Sequence, residues 1–83
     1  MVKEAVWAFL GLDDSGNEIG PIAIRTPGSD EWYVFVTTDV RVLEKMQKSM
    51  QSIVKESGRR VRLVKFTQRE ILEELGANTA NLN

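Results

Sequence analysis

Over residues 2–10 the apolar side chains alternate in two phases, with Val6, Ala8 and Leu10 in one and Ala5, Trp7 and Phe9 in the other. A period of two is that of a strand, and apolar residues in both phases predict a strand covered on both faces. Asp13-Asp14-Ser15-Gly16-Asn17-Glu18 supplies the chemistry of a turn, with Gly16 and Asn17 able to take positive φ. Residues 19–25 resume as a second strand with Ile22 and Ile24 in phase. Pro21 lacks the N–H a ladder uses, so it predicts an edge position or the first paired residue. Thr26-Pro27-Gly28-Ser29-Asp30 places Pro and Gly as a type II turn prefers. Residues 31–37, Glu-Trp-Tyr-Val-Phe-Val-Thr, are apolar in both phases and predict an interior third strand.

The period then changes. Leu43, Met46, Met50 and Ile53 fall on one helical stripe, widened by Val40 and Val54, while Arg41, Glu44, Lys45, Lys48, Ser52, Lys55 and Glu56 take the other faces. Thr38 or Asp39 can cap the start, and Gly58 stands where a left-handed residue ends a helix. The spacing predicts a helix of about five turns. Residues 60–66 form another strand, with Val61 and Leu63 in one phase and Val64 and Phe66 in the other. Thr67-Gln68-Arg69-Glu70 matches a capping box, and Ile71, Leu72 and Leu75 ahead of Gly76 predict a short C-terminal helix. Residues 77–83 have no periodicity and read as a loose polar tail behind a single compact domain over 1–76.

The expected fold class is α+β in the order β-β-β-α-β-α. Two tight turns make the first three strands an antiparallel meander, and a strand–helix–strand crossover sets the fourth parallel to the third. The expected sheet is four-stranded and mixed or mostly antiparallel, with the long helix on one face.

Composition narrows the chemistry. In 83 residues there is neither His nor Cys, which excludes a thiolate nucleophile, an imidazole base and a conventional zinc site. Any metal would be a hard ion on oxygen ligands. The acidic turn Asp13, Asp14, Glu18 is the nearest candidate, yet it is too short for a calcium loop and sits between strands. Gly16, Gly20 and Gly28 are scattered and none opens a helix, so no phosphate loop is present. No spacing selects a base for any serine. The expectation is a protein that is not an enzyme, without cofactor or metal. The apolar run over residues 5–12 is far shorter than the about 20 residues of a membrane span. Glu4 and Asp13-Asp14 suit a secretion leader poorly, so no membrane and a cytoplasmic setting are expected.

Charge is divided along the chain: residues 1–38 carry two basic against six acidic side chains, residues 39–72 nine against four. A solvated helix face and a charged strand edge account for this asymmetry. The functional alternative is an accessory nucleic-acid-binding domain using Arg59, Arg60, Arg62, Lys65 and Arg69. Against it, the third strand lacks the Lys/Arg-Gly-aromatic opening of an RNA-recognition platform and is preceded by Asp30 and Glu31.

Five of the six aromatic residues, Trp7, Phe9, Trp32, Tyr33 and Phe35, lie on the first and third strands. One helix covers one face of a sheet. If it covers Val6, Ala8, Leu10, Val34 and Val36, then Trp7, Phe9, Tyr33 and Phe35 face outward as the candidate interface. Ile71, Leu72 and Leu75 offer too little apolar area to seal such a face, and bare aromatic patches of that size are rare on monomers. The sequence therefore points to a self-associating or protein-binding module whose partner is a second copy, forming a homodimer, or another protein.

Overall fold

The computed structural model describes residues 5–68 and 70–76. Its elements are β1 (Val6–Leu12), β2 (Glu18–Pro21), β3 (Ala23–Arg25), β4 (Trp32–Val34), β5 (Val36–Thr37), α1 (Val40–Ser57) and β6 (Val61–Phe66). The fold is α+β: an antiparallel sheet with one helix.

β1 is the central strand. β6 runs along one of its edges, from Val6↔Phe66 to Gly11↔Val61. The other edge is shared, with β2 beside the C-terminal half (Leu10↔Pro21, Leu12↔Glu18) and β5 beside the N-terminal half (Trp7↔Thr37, Ala8↔Val36). At the junction the Phe9 N–H donates to the Phe35 carbonyl (3.0 Å), the Phe9 carbonyl accepts from Ile22 (2.8 Å), and the Phe35 N–H donates to the Ile22 carbonyl (2.9 Å). Between Ile22 and Phe35 the chain leaves the main sheet as a two-stranded hairpin of β3 and β4 (Ala23↔Val34, Arg25↔Trp32). Each strand expected over 19–25 and 31–37 is thus divided in two, and residues 31–37 lie mostly in an exposed arm instead of the interior. The cause is non-local: an apolar run specifies extended backbone, but its partners are chosen by distant hydrogen bonds.

Every pairing is antiparallel. β5 and β6 both oppose β1, so they run parallel to each other with β1 between them and share no hydrogen bonds. The sheet therefore takes the antiparallel form of the two expected, with β1 at its centre where a meander of the first three strands was expected.

Local chemistry sets the connections. The Asp13 carboxylate accepts from the Ser15 and Asn17 amides, both at 2.9 Å, and Gly16 takes φ 85°. Asp39 caps α1 by accepting from the Arg41 amide at 2.8 Å, while Gly58 at φ 72° donates to the Val54 carbonyl and ends the helix. Ile22 Cδ1 lies 3.2 Å from where a Cβ on Gly11 would stand, so glycine lets Ile22 pack directly on the β1 backbone.

The core lies between α1 and one face of the sheet. Leu43, Met46 and Met50 meet Phe9, Ile22 and Phe35, with Trp7, Val42, Ile53, Val54 and Val61 partly buried around them. Phe35 stands edge-on to Phe9 at 6.0 Å and to Tyr33 at 5.0 Å, the offset geometry that ring quadrupoles favour. This reverses the expected assignment: α1 covers the phase of Trp7, Phe9 and Phe35, and the aliphatic phase of β1 faces away. Larger rings fill the space between a helix and a twisted sheet, while Ala8 and Leu10 are buried on the other face.

Residues 70–76 contain no helix, and Ile71, Leu72 and Leu75 are exposed. A capping signal and one apolar stripe do not hold a single turn or two without a surface to pack on. The tail expected over 77–83 lies outside the described residues.

Candidate interaction surfaces

The alternation of β1 and its pairing partners places Val6, Ala8, Leu10, Val36, Val64 and Phe66 on the face opposite α1. Val36 is 39% exposed and Phe66 46%, and no helix covers them among the described residues. The hairpin continues this phase outward through Val34 and Trp32, the latter 62% exposed. Arg62 and Glu18 border the patch and pair with each other at 2.9 Å.

Of the four residues expected on an open aromatic face, Phe9 and Phe35 are core, Trp7 is half-buried at the core's margin, and Tyr33 is exposed on the hairpin. They are contiguous but not available together. The uncovered residues that sequence reasoning left out are Val36, Val34, Trp32 and Phe66. The clue was present for Phe66, which shares a strand phase with Val64.

The four described basic residues of the alternative, Arg59, Arg60, Arg62 and Lys65, do not form one patch. Arg60 reaches over Gly16 in the acidic turn, and with Arg59 it lines a cleft of about 620 Å³ that also holds Asp13 and Asp14. Arg62 is spent on Glu18 on the helix-free face. Lys65 projects to the other side, its Nζ 5.8 Å from the Trp7 ring centroid. Arg69 lies outside the described residues. Strand alternation separates Arg62 from Lys65, a division the charge count alone does not register.

The acidic turn is committed to its own backbone. The Asn17 amide, joined by those of Ser15 and Gly16, holds the Asp13 carboxyl below the ordinary aspartate value against some desolvation. Asp39 is lowered likewise, first by the Arg41 amide. Among the described residues no cluster of three acidic side chains is placed to hold a metal ion. No described helix is long and apolar enough to cross a membrane.

One further concavity lies between α1 and β6. It is a shallow groove of about 410 Å³ lined by Phe9, Met50, Val54, Val61 and Leu63, with Lys55 at its rim. Leu63 is 40% exposed at its lip. Comparison with known protein families, curated proteins and solved structures finds no match to this chain.

Proposed function

We propose that the chain is a small non-enzymatic interaction module that self-associates, or binds a protein, through the helix-free face of its sheet. The observation that carries this reading is the apolar character of a face that no described helix covers. An antiparallel sheet with one face in water alternates along each strand, apolar toward the core and polar toward the solvent. Here Val6, Ala8, Leu10, Val36, Val64 and Phe66 share the face: Ala8 and Leu10 are buried at its centre, Val6 and Val64 are half-buried, and Val36 and Phe66 are exposed, bordered by the Arg62–Glu18 pair. Exposed apolar patches with polar rims are the usual mark of a contact surface. A two-fold contact sets such a patch against its own copy, the commonest way a small chain buries one. A chain without cysteine also suits a reducing, cytoplasmic compartment.

The test is absolute molar mass of the full chain by light scattering over a range of concentrations, for wild type and Val36→Asp. Association that weakens in the variant supports the reading. Equal association of the two chains removes this face from it.

A further inference from the structure

We infer that the outer edge of β6 is a second contact surface, at which two copies of the chain pair strand to strand into one continuous antiparallel sheet. Leu12 donates its N–H to the Arg60 carbonyl at 3.0 Å. By the alternation of an antiparallel ladder, Arg62, Val64 and Phe66 also turn their backbone groups to β1, and Val61, Leu63 and Lys65 turn theirs outward. No strand meets those outward groups among the described residues.

The opposite edge of the sheet is protected. Ile22 donates to Phe9, so the neighbouring Pro21 presents to the outside a nitrogen without hydrogen, and the chain then departs into the hairpin. β6 carries neither proline nor bulge along its six residues. Natural sheets block a free edge of this kind or use it.

The strand is compatible with a second copy of itself, and charge together with ladder length sets the register. A two-fold antiparallel pair matches outward-turned residues with one another. Setting Val61 against Leu63 would place Arg62 directly opposite the other Arg62, a like-charge contact that destabilises a sheet. Centring the pair on Leu63 sets Leu63 against Leu63, Val61 against Lys65, Arg62 against Val64 and Arg60 against Phe66. No like charges then oppose, and an arginine faces an aromatic ring. Moving the centre to Val64 also avoids like charges but leaves Val61 without a strand partner and shortens the ladder. In the Leu63-centred register the two exposed leucines meet at the mouths of their grooves, and the helix-free faces join into one surface of twice the width. This contact rests on the free edge and is independent of the one at the helix-free face.

The absence of cysteine makes the test direct. Under mild oxidation Leu63→Cys should give a covalent dimer, because the two Cα atoms lie about 5.5 Å apart in this register. Arg62→Cys should give about tenfold less, since its two copies would be about 8 Å apart, beyond disulfide reach. Mixing a Val61→Cys chain with a Lys65→Cys chain gives the same readout should Leu63→Cys disturb the fold. The Leu63→Cys product is expected to persist in a Val36→Asp background, where the face contact is removed. Equal yields from Leu63→Cys and Arg62→Cys, no product from either Leu63→Cys or the mixed pair, or loss of the product with Val36→Asp overturns the inference.

Discussion

Phe35 and Val36 are neighbours in the chain and lie on opposite faces of the same sheet. Phe35 is 1% exposed, held between Phe9, Tyr33 and the buried stripe of α1. Val36 sits across from Ala8 with no helix above it and is 39% exposed. Both side chains are apolar, and both stand at the junction where β5 joins β1. What separates them is the occupant of each side: among the described residues one helix stands against two apolar faces. The covered face shows what this sequence does with apolar surface when a partner is at hand, and the open face shows the same chemistry without one.

Substitutions at the pair should separate fold from association. Phe35→Ala removes a fully buried ring and leaves a cavity under α1, at a cost of about 3–5 kcal/mol. Small domains carry about 5–15 kcal/mol in total, so urea unfolding should show most of the stability gone. On the same covered face, Gly11→Ala sets a Cβ 3.2 Å from Ile22 Cδ1 and should cost about 1–3 kcal/mol by the same measurement. Val36→Asp should change stability by about 1 kcal/mol or less, because the side chain already meets water, while lowering the molar mass in solution.

The smallest expected effect belongs to the turn carboxylates. Asp13 and Asp39 have folded pKa values below their unfolded ones, each lowered chiefly by a backbone amide, that of Asn17 for Asp13 and that of Arg41 for Asp39. A lowered folded pKa contributes stability that is complete above the unfolded value of about 4 and fades as pH falls through the folded value. The unfolding midpoint should therefore decline below about pH 4. Asp39→Asn, which keeps a capping oxygen but cannot titrate, should flatten part of that decline.

How much of this was legible in the sequence follows the range of the interactions. α1 was legible to its cap residue at Gly58 and to within one position at its start, where Thr38 and Asp39 were both candidates, since the caps and the Leu43–Met46–Met50 stripe act within a few positions of one another. The Asp13 turn and the extended character of β1 and β6 were legible for the same reason. The division of two strands at Ile22 and Phe35 was not, because it depends on hydrogen bonds that both residues make with Phe9. Nor was the choice of face. β1 is apolar in both phases, so only the packed helix decides between Trp7 and Phe9 on one side and Ala8 and Leu10 on the other. The expected interface went to the covered phase on that account. The scattering of the basic residues could have been read from alternation: Arg62 belongs to one phase of β6, which Arg60 just before the strand continues, and Lys65 to the other.

The measurement that tests the account most directly is the molar mass of wild type, Val36→Asp, Leu63→Pro and the double variant at matched concentrations. Leu63→Pro removes only an outward-turned N–H and leaves the ladder with β1 intact. Wild type, with both contact surfaces, should assemble beyond a dimer. Each single variant should stop at a dimer, and the double variant should return to the 9.4 kDa of one chain. A Val36→Asp chain with the mass of wild type at every concentration, or a wild type that is monomeric throughout, would contradict the claim that the helix-free face is a contact surface.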